Sequence, residues 1–493
     1  MKLLLQQVRP FVWLFCSLVM LALLSQPGAT HDEWYHAAST WCAQGIRSPY
    51  CSDIGVDPGN RFSALVNLNA VNCKLPPQEL LYCPTPNTGQ GRPLVNNGLY
   101  PGGFYYILSW FVVPSSEQSF ILLRSISALA ASVVLCMMFW LLPVRHRLVL
   151  SLLIITMFSS TGFFLLASIN PSSWAFLGVG TGWLPIHAAW TESGTSIRRK
   201  FSLMTIGVLA LSMAGGSRWD AIPFTALMIF LVCVHVLTIR IPNHKFVMIV
   251  SVACTLLLAV VLLEMFSPLS PVHYLGTLTT FTEGQPDNII FLSSNLLQAF
   301  PGTLQALGSV PTMTDVMVPG VVLIASFVVL GYFLLVTFNE RQRLQYLGMA
   351  AGAIAVGVST AAQIAVTDAR DFGLIEPRYG LPLVTAVIGW WFLQSPERSI
   401  LRVVRGLKTG AIVATGSFSL VAYTLAERFV DRQTNSIRFL PEGPDQWWWS
   451  LLPFGPNVTV FLAPIFFWFF VRSVSDTRAF APLGNRRGAS TSG

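Results

Sequence analysis

Runs of apolar residues long enough to cross a lipid bilayer constrain this chain more than any other feature. A spanning helix needs about 20 mostly apolar residues, and we find twelve such runs. The predicted spans are 10–27, 119–142, 148–167, 172–190, 201–215, 219–238, 246–266, 317–337, 344–366, 378–394, 409–426 and 456–471. The sequence therefore predicts an all-α polytopic membrane bundle of about 12 transmembrane helices, a single domain over 1–471, with a disordered cytoplasmic tail at 472–493.

Composition supports a membrane protein and argues against other classes. Only 11% of the residues are charged, whereas soluble domains carry about 25%, so a soluble enzyme and a disordered protein are both excluded. The formal net charge of +8 does not indicate a nucleic-acid partner, because the Lys and Arg residues form short clusters between the apolar runs. No phosphate-binding loop motif is present, which argues against an ATP-driven pump.

The distribution of Lys and Arg predicts the orientation. With the N-terminus inside, 19 of the 30 basic residues but only four of the 22 acidic residues fall in inside loops, as the positive-inside rule requires. Both termini are then cytoplasmic in a multi-pass protein of the cell membrane. The long loops 28–118 and 267–316 are extracytoplasmic. The first span is interpreted as a retained anchor, although a cleaved signal peptide is the alternative.

Within the first outer loop, the apolar and aromatic segment 98–113 is broken by Pro101, Gly102 and Gly103. Counting it as a span would reverse the orientation of everything that follows. We therefore predict a helix lying at the outer membrane interface, where Tyr and Trp side chains such as Tyr100 are favoured.

An acidic pair, Asp32 and Glu33, follows the first span directly and is flanked by histidines, including His36. Carboxylates close to hydrocarbon are costly unless they serve a purpose. One of them could cap the following helix or act as a general base toward a sugar hydroxyl. A third possibility is that the pair holds a divalent cation such as Mg²⁺ or Mn²⁺. His36 is a candidate substrate-binding residue.

The same loop holds an even set of cysteines: Cys42, Cys51, Cys73 and Cys83. In an oxidising compartment such a set predicts disulfides. Three pairings are possible, and the most local one, Cys42–Cys51 with Cys73–Cys83, is favoured. A zinc site is the competing interpretation, but the Cys-x-x-Cys spacing is absent.

Three arginines on the predicted outer face are candidate phosphate ligands. Arg124 lies inside an apolar helix, where it either snorkels to the surface or faces the bundle interior and marks a site. Arg218 lies two residues from Asp220 in a short outer turn, so the two side chains either pair or bind a phosphate and a hydroxyl. Arg378 runs straight into an apolar span and suits a phosphate clamp.

Three further outer residues have both a structural and a binding interpretation. Asn170 belongs to Asn170-Pro171-Ser172-Ser173, which is either a turn before a helix or a substrate contact. Trp448 lies in a run of three tryptophans that forms an interfacial belt or stacks on a sugar ring. Tyr100 is the third candidate for substrate binding.

Taken in order, these stretches resemble the GT-C superfamily of polytopic membrane glycosyltransferases. The closest resemblance is to an actinobacterial family of uncharacterised polytopic membrane proteins placed near that superfamily. The matching stretches, spread over about 10–395, are Asp32-Glu33 with His36, Asn97 to Pro101 with Tyr105-Tyr106, Leu123-Arg124-Ser125 with Ser127-Ala128-Leu129, Asn170 to Ser173, and Arg378-Tyr379 with Leu381-Pro382.

The resemblance implies transfer of a sugar from a polyprenyl-phosphate donor to a cell-envelope glycan or lipid acceptor outside the cytoplasmic membrane. Asp32 or Glu33 would deprotonate the acceptor or help hold a metal, and Arg124, Arg218 and Arg378 would hold the donor phosphate. The alternative is a transporter or flippase of lipid-linked saccharide. Transporters usually place polar sites near mid-membrane, whereas the polar candidates here cluster at one face.

Overall fold

The computed structural model describes residues 2–25, 33–44, 51–53, 62–64, 100–158, 160–192, 196–240, 303–304, 307, 309–310, 316–338, 343–367, 379–430 and 455–476. Fifteen helices form within them. They are α1 Lys2–Leu23, α2 Glu33–Trp41, α3 Gly103–Ser109, α4 Ser116–Leu141, α5 Val144–Thr156, α6 Ser160–Leu166, α7 Ser172–Thr181, α8 Trp183–Thr191, α9 Ile197–Gly215, α10 Ala221–Arg240, α11 Gly320–Thr337, α12 Arg343–Thr367, α13 Leu381–Leu393, α14 Glu397–Val430 and α15 Pro456–Val474.

The prediction of a multi-pass helical membrane protein is confirmed. Five helical stretches in the described residues are long and apolar enough to cross a bilayer, namely Gln118–Leu141, Ala221–Thr238, Gly320–Thr337, Arg402–Ala426 and Pro456–Val474. Three shorter apolar stretches lie at Val8–Leu23, Leu344–Val356 and Leu381–Leu393. The predicted span 246–266 lies outside the described residues, and the number twelve stays a prediction.

Two of the predicted spans are divided in the structure. The segment predicted as 148–167 contains α5 and α6, and that predicted as 172–190 contains α7 and α8, separated at Gly182. Pro185 explains the second interruption, because it has no N–H to donate to the carbonyl four residues earlier, that of Thr181.

The all-α prediction is confirmed, and two short antiparallel ladders accompany the helices. Strand β1, Cys51–Asp53, pairs with β2, Phe62–Ala64, inside the first predicted outer loop. Strand β3, Ser309–Val310, pairs with β4, Val316–Met317. The predicted helix from 317 therefore begins later, at Gly320.

Helix α1 packs against α4 and α15, and α7 packs between α9 and α13. Small residues allow the closest of these approaches. At Gly178 in α7, a Cβ atom would collide with the carbonyl oxygen of Ala210 in α9. The two backbones therefore approach so closely that only glycine fits at this position.

The helices place two different sets of polar residues at opposite ends of the bundle. We call the end that carries Arg124, Arg218 and Tyr379 the site end. We call the other the basic end, where Arg145 donates to the carbonyls of Leu393 (2.7 Å) and Ser395 (2.9 Å). There Arg199 likewise donates to Leu141 (2.9 Å). These arginines satisfy carbonyls at the C-terminal ends of α13 and α4, where cations are favoured.

The predicted interface helix exists but is shorter than the segment 98–113, because α3 covers only Gly103–Ser109. The Phe104 N–H donates to the Gly216 carbonyl at 3.1 Å. A Cβ at Gly103 would lie 2.8 Å from the Gly216 oxygen. Helix α3 is therefore docked on the end of α9. Tyr106 within α3 and Trp110 directly after it are exposed, as expected of aromatic residues at a membrane interface.

Candidate functional site

A buried ion pair between Glu33 and Arg124 lies at the site end. Arg124 Nε donates to Glu33 Oε1 at 2.9 Å, and Nη2 donates to Oε2 at 2.6 Å. The side chains of Arg124 and Glu33 are only 2% and 0% exposed. Such bidentate pairing is the strongest geometry available to an arginine and a carboxylate.

The same pair also satisfies backbone groups of other segments. Arg124 Nη1 donates to the carbonyls of Ala22 (2.7 Å) and Ser25 (2.8 Å), at the C-terminal end of α1. Glu33 Oε1 accepts the N–H of Ile169 at 3.2 Å. The pair therefore ties together α1, α2, α4 and the segment that precedes α7.

This geometry bears on two of the predicted roles. Both oxygens of Glu33 are engaged by Arg124, and neither side chain reaches solvent, so the pair fits a structural role better than acid–base chemistry or phosphate binding. Glu33 likewise does not fit a metal ligand. Among the described residues, no group of three or more His, Cys, Asp or Glu side chains is placed to hold a metal ion. Asp32 lies outside the described residues.

A second, less enclosed arginine lies in the turn between α9 and α10. Arg218 Nε and Nη2 donate to the two oxygens of Asp220 at 2.8 and 2.6 Å, and Nη1 donates to Ser172 Oγ at 3.0 Å. The guanidinium carbon lies 4.2 Å from the ring centroid of Tyr379 and 5.9 Å from that of Tyr100. Residues from three separate segments therefore converge on one cation.

The electrostatics of this arginine are dominated by Asp220. Burial alone would lower the pKa of Arg218, but the charge and hydrogen bonds of Asp220 outweigh burial and raise it above its usual value. Arg218 is therefore a permanent cation, and its side chain and that of Asp220 keep 9% and 14% of their surface exposed. A guanidinium with five N–H donors that uses three in these bonds retains donors for an anion.

The aromatic side chains of α2 and α3 continue this cluster. His36 Nδ1 lies 2.8 Å from the Tyr105 hydroxyl, and both residues are buried. The His36 ring meets the Tyr100 ring edge-on at 5.1 Å between centroids. Tyr100 therefore bridges the buried His36 and the cation of Arg218, which places three of the predicted site residues next to one another.

Asn170 has a structural role in the described residues. Its Oδ1 accepts the N–H of Ser172 at 2.9 Å, and its carbonyl accepts the Ser173 hydroxyl at 2.7 Å. These bonds begin α7 in the manner of an N-terminal cap, as the turn interpretation of the sequence predicts. The bonds also hold Ser172 at the position where it accepts from Arg218.

The structure thus gathers His36, Tyr100, Asn170, Arg218 and Asp220 at the site end, together with the Glu33–Arg124 pair. Cys42 is buried at the C-terminal end of α2. The other predicted residues, or their side chains, lie outside the described residues: Asp32, Cys51, Cys73, Cys83, Arg378 and Trp448.

Three residues of the cluster were not predicted from the sequence: Tyr105, Ser172 and Tyr379. Tyr379 stands next to the predicted Arg378, and Ser172 stands two residues after Asn170, so each had a neighbour that was already a candidate. Tyr105 belongs to the Tyr105-Tyr106 stretch of the resemblance, but its contact with His36 of α2 could not be predicted from the local pattern.

Comparison with known proteins gives a family but no activity. A family model described as predicted membrane protein (DUF2142) matches residues 15–387, which is most of the chain. No curated protein and no solved structure matches it.

Proposed function

We propose that this chain, which belongs to the family of predicted membrane proteins described as DUF2142, is a glycosyltransferase of the cytoplasmic membrane. It moves a sugar from a polyprenyl-phosphate donor to a cell-envelope glycan or lipid acceptor on the extracytoplasmic side. The observation that carries the proposal is the convergence of Ser172, Tyr379 and Asp220 on the cation of Arg218 at the site end.

The donor phosphate is assigned to Arg218 and Arg378. Arg218 is held in place by Asp220 and Ser172, so its remaining N–H donors are oriented before the substrate arrives. Arg378 precedes Tyr379 in the chain, and Tyr379 stacks on the Arg218 guanidinium. Cations that are already oriented toward a departing phosphate stabilise the charge that develops on it in the transition state.

The general base is assigned to Asp32 rather than Glu33. Glu33 is fully buried and bonded through both oxygens to the cation of Arg124, so an acceptor hydroxyl cannot reach it and the ion pair opposes its protonation. Asp32 is the adjacent carboxylate. Its role is to accept the acceptor hydroxyl proton while the bond between the sugar carbon and the phosphate oxygen breaks.

The site end also suits a substrate whose tail stays in lipid. Tyr106 in α3 and Trp110 directly after it are exposed, in the type of position that aromatic residues occupy at a membrane interface. The polyprenyl tail would remain in the bilayer, and the sugar would reach Tyr100, whose ring contacts the buried His36. Trp448 is proposed to stack on a sugar ring.

Disulfides are proposed to stabilise the first outer loop. Cys42 is buried at the end of α2, and a disulfide there would suit an oxidising compartment. The favoured pairing remains Cys42–Cys51 with Cys73–Cys83. Mass spectrometry of peptides produced without reduction would identify a Cys42–Cys51 cross-link, and a Cys42 peptide linked to Cys73 or Cys83 would contradict this pairing.

The decisive experiment is transfer by the purified protein in nanodiscs, with a panel of polyprenyl-phosphate sugars as donors and cell-envelope glycans as acceptors. We expect transfer by the wild type, loss of transfer in Asp32→Asn with an unchanged melting temperature, and normal transfer in the control Asp53→Asn from the same loop. Full activity of Asp32→Asn would remove this residue from the mechanism. Movement of a labelled lipid-linked sugar across the bilayer, without transfer from any donor, would instead establish the flippase.

A further inference from the structure

Three histidines form a hydrogen-bonded row at the basic end, away from the proposed site. His146, His187 and His235 lie on α5, α8 and α10 respectively. His146 Nε2 is 2.9 Å from His187 Nδ1, and His187 Nε2 is 2.7 Å from His235 Nδ1. His146 and His187 are buried. We call these three residues the histidine row.

Each end of the row meets another polar side chain. His146 Nδ1 lies 3.7 Å from Glu192 Oε1, which is too far for a hydrogen bond, and this nitrogen has no hydrogen-bond partner among the described residues. The Glu192 side chain is 36% exposed. His235 Nδ1 lies 3.1 Å from Gln394 Nε2, a donor nitrogen that favours a bare Nδ1 unless the amide is turned by 180° to present its oxygen. Arg145 is the other charged group beside the row, and its guanidinium is bonded to carbonyls at the end of α13. The row therefore leads from a carboxylate that solvent can reach to the half-buried ring of His235.

When all three imidazoles are neutral, the hydrogen bonds along the row must all point the same way, because each ring has one N–H donor and one acceptor nitrogen. Only two arrangements satisfy both links between the rings. In one, all three protons are on Nδ1, and in the other all three are on Nε2. An ionised Glu192 favours a proton on His146 Nδ1 and therefore favours the Nδ1 arrangement along the whole row.

Thr191 independently supports the Nδ1 arrangement. Its hydroxyl donates to the His187 carbonyl at 2.8 Å, so its hydrogen is already used. The same oxygen lies 3.3 Å from His187 Nδ1 and can only accept there. A proton on His187 Nδ1 satisfies this contact, whereas a bare Nδ1 would face a lone pair of the hydroxyl oxygen.

We propose that the histidine row is a proton relay between Glu192 and the face of α10 that carries His235. Starting from the Nδ1 arrangement, His235 takes a proton from water on Nε2 and passes its Nδ1 proton to His187 Nε2, and His187 passes its Nδ1 proton to His146 Nε2. His146 then gives its Nδ1 proton to the ionised carboxylate of Glu192, which closes the 3.7 Å gap to accept it. One proton enters and one leaves, so each ring is neutral at the end and no net charge is added beside Arg145.

The geometry favours a relay over a metal site. Zinc binds imidazole nitrogens at about 2.0–2.1 Å, in a tetrahedral arrangement. Two nitrogens on one zinc are therefore more than about 3 Å apart, given those bond lengths. The facing nitrogens of the row are 2.9 and 2.7 Å apart, which is the separation of a direct hydrogen bond. The charge of Arg145 also disfavours a metal cation.

Nitrogen NMR on histidine-labelled protein in nanodiscs tests the relay, because it shows which ring nitrogen carries the proton. In the wild type we expect the His235 proton on Nδ1. In Glu192→Lys the new ammonium donates to His146 Nδ1, so the protons on all three rings should move to Nε2. His36, which is bonded to Tyr105 at the site end, is the internal control and should not change.

A second variant separates the relay from a direct electrostatic effect. His187→Phe keeps an aromatic ring but interrupts the row, so the His235 tautomer should then be the same with Glu or Lys at position 192. We also expect exchange of the His235 N–H proton with water to change with residue 192 only when His187 is present.

Three results would overturn the proposal. One is a folded Glu192→Lys protein in which the His235 tautomer is unchanged. Another is a His235 response that persists in His187→Phe. The third is stoichiometric binding of added Zn²⁺ by the three rings. Because Glu192 is partly exposed, its variant tests the relay even if His187→Phe does not fold.

Discussion

At the scale of single residues, the Glu33–Arg124 pair should contribute to stability rather than to chemistry. Removing one partner from a buried pair costs about 3–5 kcal/mol, because the other charge is left uncompensated. We therefore expect Glu33→Gln and Arg124→Met each to lower the melting temperature sharply in detergent or nanodiscs.

The matched control for that experiment is the double variant Glu33→Leu with Arg124→Leu. Replacing both charges by apolar side chains is often close to neutral, so the double variant should recover part of the lost stability. The recovery is incomplete because Ala22, Ser25 and Ile169 lose the backbone hydrogen bonds that the pair supplies. Single variants as stable as the wild type would contradict the structural role of the pair.

Arg218 should behave differently, because its side chain is proposed to touch the substrate. Arg218→Lys keeps the charge but loses the planar fork that bonds Asp220. Hydrogen bonds to charged groups contribute about 1.5–3 kcal/mol. Since 1.4 kcal/mol is tenfold in affinity, we expect apparent donor affinity to fall by about tenfold to a hundredfold.

The control is Arg199→Lys, at the basic end, which should leave the donor dependence of transfer unchanged. An Arg218→Lys protein with wild-type donor dependence would show that Arg218 does not contact the phosphate.

The sequence predicted single candidate residues better than it predicted their partners. Arg218 and Asp220 are two residues apart, so their pairing was one of the alternatives that the local pattern offered. Glu33 and Arg124 are 91 residues apart, and nothing in either neighbourhood indicates the other. The two were therefore assigned separate roles, as base and phosphate ligand, although the structure joins them.

At the scale of elements, the close contact of α7 and α9 should tolerate little change. Gly178→Val places a branched side chain against the Ala210 carbonyl. Such overpacking costs about 1–3 kcal/mol, so we expect a lower melting temperature. Gly331→Val is the matched control, because a Cβ at Gly331 in α11 meets nothing within 4 Å. Equal effects of the two substitutions would argue against this packing.

Helices were largely predictable and their interruptions were not. Apolar runs identify helices because lipid forces each backbone polar group to bond within its own helix. The interruption between α7 and α8 depends on Gly182 and Pro185, which a long apolar run conceals. The short ladder of β1 and β2 lies in a polar loop without the alternation that predicts strands.

For the whole molecule, the positive-inside rule predicts that the site end faces the cell exterior. Trp110 and Ile197, 67% and 80% exposed, lie at the site end and at the start of α9 respectively. In spheroplasts, a membrane-impermeant maleimide should label Trp110→Cys directly and Ile197→Cys only after permeabilisation. The protein without an introduced cysteine shows how much maleimide labelling comes from the native cysteines. The reverse pattern of labelling would invert the proposed orientation and exclude an extracytoplasmic active face.

The spacing of the Glu33–Arg124 pair has a consequence for biogenesis. Glu33 is synthesised 91 residues ahead of Arg124, which at about 5–20 residues per second is a delay of roughly 5–20 s. During that interval the acid stands at the border of α1 without its counter-ion and cannot enter the hydrocarbon. The packing of α1, α2 and α4 around this ion pair therefore cannot be completed until α4 leaves the ribosome. The synthesis of Arg124 sets the earliest moment at which these three helices can assemble.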